Sequence, residues 1–206
     1  MQTKTITTYS FAELSDEAKE TARSWWREHG LDYEWYDCTF DDAKEVGAVL
    51  GIDIDIDKIY FSGFWSQGDG ASFESNYRYK PGWRKALRKL YGGDALKELE
   101  RIGVELQRAQ RFASYQITAS TRQHGHYMSG MVVDVELGDP PGGDGWPTLE
   151  GCPHLWEEPV KDALNDFAHW VYRTLEKEYK YLNADEQVDE MLTINEYEFT
   201  AEGKVA

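Results

Sequence analysis

The stretch Ile52-Asp-Ile-Asp-Ile-Asp-Lys-Ile-Tyr-Phe-Ser-Gly-Phe-Trp-Ser-Gln-Gly-Asp-Gly-Ala-Ser-Phe73 decides the fold class. Its first six residues alternate apolar and acidic, and a strand turns successive side chains to opposite faces. Ile52, Ile54 and Ile56 therefore share one face, and Asp53, Asp55 and Asp57 share the other. Residues 58–65 continue as a β-rich run. Gly68 and Gly70 flank Asp69 in the composition of a tight turn, because glycine takes positive φ at no steric cost. Residues 71–79 read as the returning strand, so the spacing predicts a hairpin over 58–79.

Outward from this hairpin the pattern turns helical. On the N-terminal side Ser15 precedes Asp16 and Glu17, a capping side chain followed by acids where the helix dipole favours negative charge. Ala18, Ala22, Trp25 and Trp26 follow at helical spacing, and Gly30 ends the run. A second helix is expected over 35–50, and a short alternation at 5–11 reads as an edge strand. On the C-terminal side Pro81-Gly82 breaks the chain, and Gly92-Gly93 separates helices at 83–91 and 94–111. Strands at 115–120 and 131–137 flank a turn around Gln123-His-Gly-His126. A Pro- and Gly-rich flexible loop is expected at about 138–158. Pro159 marks a helix start. The helix over 160–181 carries Ala163, Phe167, Trp170, Val171, Leu175 and Tyr179 on one face. Asn183-Ala-Asp-Glu186 opens a last helix to about 195. The expected order is β-α-α-β-β-α-α-β-β-α-α. Hairpins in place of crossovers imply an α+β fold: a single domain over 1–206, with an antiparallel sheet built from hairpins and helices packed on it.

The chain has 206 residues, of which 41% are hydrophobic, with eight Trp and thirteen Tyr. So many large apolar groups argue against disorder. No run approaches the roughly 20 apolar residues of a membrane span. The first residues lack a basic stretch followed by an apolar core, so a cytoplasmic protein is expected. Cys38 and Cys152 are too few for a disulfide framework or a four-thiolate zinc site. Two reduced thiols are the simpler expectation, and a bridge between them is the alternative. The net charge is −16, from 38 acids and 22 bases. The distribution is uneven, since residues 58–123 carry 12 bases against 6 acids while both flanks are strongly acidic. The acidic balance argues against direct duplex DNA binding and against anionic membranes.

The chain holds no P-loop, dinucleotide fingerprint, nucleophile elbow or HExxH. The reading therefore leans to binding rather than catalysis, with no cofactor. Around the Gly-Asp-Gly turn, Ser62, Ser66, Gln67 and Ser72 supply side-chain donors and acceptors, Asp69 a carboxylate, and Trp65 an aromatic surface. Such a turn can offer backbone N–H groups to a phosphate or to a partner's backbone. The same residues can equally serve to satisfy the turn's own carbonyls. His124 and His126 lie two apart beside Tyr127, on one side if the segment is a strand. They could ligate a metal with Asp134 or Glu136, but the set is incomplete, and no metal is expected. Asp53, Asp55 and Asp57, about 7 Å apart on a strand face, resemble a spaced row of phosphates that would suit a basic groove. The plainer alternative is a solvated strand face. Arg84, Lys85, Arg88, Lys89, Arg101, Arg108, Arg111 and Arg122 form a basic region near Tyr77, Tyr79 and Tyr91. Cations for phosphate and aromatics for stacking are the ingredients of a nucleotide surface. Ion pairing with the acidic flanks is the alternative.

Tyr60-Phe-Ser-Gly-Phe-Trp-Ser-Gln-Gly-Asp-Gly-Ala-Ser-Phe73 resembles the "SGF-x-SQGDGA-x-F" core of a family of small phage and prophage proteins. Gln123-His-Gly-His-Tyr127 with Met131-Val-Val-Asp-Val-Glu136, and Trp170–Tyr181 with Asn195–Gly203, match the same family in style. Members often carry a His shortly after the Gly-His-Tyr. Met128-Ser129 stand there in this chain, which weakens a metal or acid/base role. The resemblance implies an accessory protein acting in the bacterial cytoplasm, with no established catalysis, sometimes labelled an antitoxin. The resulting expectation is a binding protein that inhibits a bacterial host or defence protein through an acidic surface. Sequestration of a small nucleotide by the Ser-Gln-Gly-Asp-Gly loop and nearby basic residues is the first alternative, and antitoxin-like neutralisation the second.

Overall fold

The computed structural model describes residues 7–138 and 152–206. In chain order the elements are β1 (Tyr9–Ser10), a 3₁₀ turn (Phe11–Glu13), α1 (Asp16–His29), α2 (Asp37–Leu50), β2 (Ile52–Phe61) and β3 (Ala71–Arg78). There follow α3 (Trp83–Leu90), α4 (Gly93–Phe112), β4 (Ile117–Gln123), β5 (Met131–Leu137), α5 (Pro153–Leu182), α6 (Asp185–Ile194) and β6 (Glu198–Phe199). The fold is α+β, as the hairpin pattern implied. The chain divides into two compact units, Cys38–Leu175 and Met1–Asp37 with Glu176–Ala206.

The larger unit is built on a four-stranded antiparallel sheet in the order β2-β3-β4-β5. Alternation in β2 buries Ile52 and Ile54 and exposes Asp53 and Asp55. Ile52 lies opposite Tyr77 and Phe61 opposite Ala71, with a bulge between Ile54 and Ile59. One sheet face carries helices. The Phe167 ring of α5 stands edge-on to Phe73 of β3, with centroids 5.7 Å apart. Phe40 of α2 meets Phe61 of β2 at 6.0 Å. From α4 the fully buried Gln110 donates to Ile117 O at 2.7 Å and accepts from Ile117 N at 3.3 Å. A buried amide satisfied in this way ties helix to sheet without leaving a polar group unpaired. The other face is polar and open, and cross-strand register lines up Asp53, Asn76, Ser120 and Asp134 in one row.

The smaller unit pairs β1 with β6, setting Tyr9 opposite Phe199. Phe11, Leu14, Ala18, Ala22 and Trp26 pack with Val188, Leu192 and Phe199 in its core. Ser15 caps α1 by accepting from Ala18 N at 3.3 Å. Arg23 grips Asp189 with two hydrogen bonds, at 2.6 and 2.7 Å. Arg27 bonds to Asp185, Glu20 and the carbonyl of Asn183.

Several expectations need correction. The edge strand expected at 5–11 is reduced to Tyr9–Ser10, because Ser10 and Glu13 form a capping box that starts a 3₁₀ turn; residues 5 and 6 lie outside the described residues. Of the loop expected at 138–158, residues 139–151 also lie outside the described residues, and from Pro153 onward the chain is helical. Pro159 is inside α5, not at its start. The preference of proline for the first helical turn is met by Pro153, whereas Pro159, lacking an N–H, leaves the Leu155 carbonyl without its helical donor. Strand β6 carried no sequence signal beyond two residues. Both cysteines are free thiols. Among the described residues no helix is long and apolar enough to cross a membrane.

Candidate functional site

The β2–β3 and β4–β5 turns lie at the same end of the sheet, because β3 and β4 pair antiparallel between them. The first turn is closed from within. Ser62 N donates to Gly70 O at 3.1 Å, and Asp69 N to Ser66 O at 3.1 Å. The Asp69 carboxylate accepts from Trp65 N at 2.9 Å and from Ser66 N at 2.6 Å. Those two N–H groups are therefore held by the turn's own aspartate and are not open to an outside phosphate. The second turn is closed by His124 N donating to Gly130 O and Gly130 N to Tyr127 O, each at 2.9 Å. The Gln123 amide adds a bond to Gly125 O at 3.0 Å.

The two turns then lock together. Ser129 Oγ donates to Gly68 O at 3.1 Å, and Ser72 Oγ to Met128 O at 2.5 Å. The Tyr127 ring lies against Gly68, whose φ is +91°, and a Cβ there would stand 2.4 Å from Tyr127 Cδ1. Only glycine fits both the backbone angle and the ring. Behind the first turn Tyr172 of α5 donates to Gly63 O at 3.0 Å. Its ring packs at 5.5 Å from that of Phe64.

This scaffold presents large side chains to solvent. Trp65 is 71% exposed, Tyr127 60% and Met128 38%. His124, His126, Ser66 and Gln67 are exposed around them. The His126 ring sits 5.9 Å from that of Tyr127. The structure thus brings together Ser62, Trp65, Ser66, Gln67, Asp69, His124, His126 and Tyr127. Sequence reading assigned no binding role to Met128, Ser129 or Tyr172. Tyr172 acts across 109 positions of sequence, a distance no local pattern announces.

The histidines lie in the turn beyond β4, so the shared strand face expected for them does not form. Among the described residues no group of three or more His, Cys, Asp or Glu is placed to hold a metal ion. Asp53 and Asp55 lie apart from the turns, on the open sheet face. The bulge brings Lys58 into their row, 2.7 Å from Glu74 and 3.8 Å from Asp55. These acids hold the Lys58 ammonium above its ordinary pKa, chiefly through the Glu74 hydrogen bond. Asp55 accepts from Asp57 N at 3.3 Å, and Arg122 stands 3.4 Å from Asp134 on the same face. The row is therefore mixed in charge, not a run of carboxylates. Tyr77 is no stacking platform: it is 1% exposed, and burial raises its phenol pKa. Tyr91 is half-buried against Trp170, and burial followed by the charges of Asp42 and Glu45 pushes its phenol up to about 12.

Ser62 Oγ is enclosed and has no hydrogen-bond partner among the described residues. Removing an unpaired buried hydroxyl removes a desolvation cost. Ser62→Ala is expected to leave stability unchanged or raise it by up to about 1 kcal/mol in a urea titration. A loss of more than that would show that the hydroxyl has a partner.

No curated protein and no solved structure matches the chain. Residues 35–185, which span the sheet, both turns and α5, match the family model described as Domain of unknown function (DUF8835), and the chain belongs to that family.

Proposed function

We propose that this chain acts by binding a protein, using the locked pair of hairpin tips as its contact surface. The observation that carries this reading is the exposure of Trp65 and Tyr127 on turns whose backbones are fixed by hydrogen bonds. Aromatics of this kind give large apolar contact area at low entropy cost, and they dominate binding energy where they enter a pocket. The partner is a component of the bacterial host or of its defences, and the setting is the bacterial cytoplasm. That part of the proposal rests on the likeness of Ser62–Phe73 to the phage and prophage core motif. The acidic residues contribute from the open sheet face, where Lys58 stands 3.8 Å from Asp55 and Arg122 3.4 Å from Asp134. Such a mixed surface selects orientation more than it adds affinity.

The test is affinity capture from bacterial lysate with wild type and with Trp65→Ala plus Tyr127→Ala. Each truncation at a binding hot spot costs about 2 kcal/mol or more, roughly 30-fold in affinity. Wild type is expected to retain one host protein near stoichiometric amount, and the double variant to lose it while keeping its melting temperature. Capture that survives the double substitution, or no stoichiometric protein with wild type, defeats the reading.

A further inference from the structure

The basic region of α3 and α4 is sorted by the fold into neutralised and unneutralised charges. Arg88 bonds to Glu100 and Arg101 to Asp166, each at 2.6 Å, and Lys97 to Asp94 at 2.7 Å. Arg84 and Arg111 have no ion pair among the described residues. Arg108 has only Glu105 at 3.8 Å, one turn away on its own helix. These three exposed arginines line one cleft of about 500 Å³ together with Val104, Gln107 and Phe112. Val104 is 38% exposed and Phe112 47%, so the cleft has an apolar wall beside its cationic one. Val104, Arg108 and Arg111 recur at the spacing of one helix face, which sets them side by side along α4.

The cleft is held in shape from beneath. The Arg84 guanidinium lies 5.0 Å from the centre of the Trp83 ring. That ring in turn lies on Gly103 of α4, where a Cβ would come within 2.5 Å of it. Gln107 reaches the Tyr79 hydroxyl at 3.5 Å, and the Tyr79 ring packs, tilted by 45°, against the exposed Tyr115 at 4.5 Å.

We infer that this cleft binds a nucleotide, with the phosphates on Arg84, Arg108 and Arg111 and the base against Phe112 and Val104. Three things point there. Guanidinium forks match phosphate oxygens, and an exposed aromatic face stacks on a base of any identity. The volume falls within the roughly 300–1,000 Å³ of small-molecule sites. The chain's charge of −16 disfavours long polyanions at range, while a local triplet of unpaired arginines favours a short one. The site is separate from the hairpin tips. The first tip precedes β3 and the second lies at the same end of the sheet, whereas Tyr79 follows β3, and a strand of 8 residues spans about 26 Å. The Ser-Gln-Gly-Asp-Gly loop and these arginines therefore do not form one pocket.

The experiment is calorimetric titration of the full chain at low salt with four probes. They are the ribonucleoside triphosphates tested singly, the monophosphates, inorganic tripolyphosphate and a ten-residue single-stranded oligonucleotide. Saturable one-to-one binding of at least one nucleoside triphosphate is expected, weaker for its monophosphate and for tripolyphosphate. Arg84→Ala with Arg111→Ala should weaken it at least 30-fold, and Phe112→Ala about 10-fold, with melting temperatures kept. Tighter binding of the oligonucleotide, lost in the same variants, identifies a strand rather than a free nucleotide as the source. Absence of binding to every nucleotide probe overturns the inference. So does binding that the arginine substitutions leave intact, or tripolyphosphate binding as tight as the nucleotide.

Discussion

Phe167→Ala is expected to destabilise the protein by about 3–5 kcal/mol, the range for truncating a fully buried phenylalanine. The ring has no exposed surface. It stands edge-on to Phe73 at 5.7 Å and tilts on Trp170 at 5.4 Å, so it joins the sheet to α5 and holds the next turn of that helix. Truncation removes transfer energy and leaves a cavity that two rigid rings cannot collapse to fill. Natural domains are stable by only about 5–15 kcal/mol, so the variant should unfold at far lower denaturant or accumulate insoluble. Urea titration followed by far-ultraviolet circular dichroism measures this. A loss under about 1 kcal/mol would mean that α5 does not cover the sheet as described.

Gly51→Ala is expected to have the second large effect. Gly51 ends α2 and starts β2, with φ at +87°. Its carbonyl accepts from Arg78 N at 2.9 Å, which brings the two backbones together. A Cβ would sit 2.0 Å from Arg78 O and 3.1 Å from the carbonyl carbon. The left-handed angle alone costs an L-residue about 1–2 kcal/mol. The clash is with backbone in a paired strand, which no rotamer change relieves, so a total of about 3 kcal/mol or more follows. Gly92→Ala is the control: φ there is −133° and nothing lies within 4 Å of the added carbon. Its effect should stay within about 1 kcal/mol. Equal effects at the two glycines would show that Gly51 is not the tight junction described here.

Much of the fold was legible because its signals are local. The Ile-Asp alternation marks β2, the Ala18, Ala22 and Trp26 stripe marks α1, and Gly92-Gly93 separates α3 from α4. The misreadings have equally local causes. Pro153 and Pro159 both fit a helix start, and only packing along the whole of α5 chooses between them. The bulge after Ile54 answers to pairing with β3, so six alternating residues could not announce that Lys58 would join the acidic row. The hairpin-tip site was legible in its residues and not in its assembly. Ser72 and Met128 are 56 positions apart, and their bond exists only because the register of β3 on β4 is fixed. The three arginines of the cleft read as part of one basic run. Which members of that run stay unpaired depends on where Glu100 and Asp166, the partners of Arg88 and Arg101, fall in space.

The smaller unit draws on both flanks of the sequence, and its Arg23–Asp189 pair joins positions 166 residues apart. During synthesis the sheet-bearing unit, contiguous from Cys38 to Leu175, has wholly emerged before the second half of the smaller unit is made. The α1 segment, with Trp26 and its apolar stripe, must wait for Val188, Leu192 and Phe199 to emerge. At about 5–20 residues per second that delay is roughly 10–30 s. The nascent chain thus carries an unpartnered amphipathic helix for far longer than a helix takes to form, and that interval is where chaperone capture and premature association compete with completion of the fold.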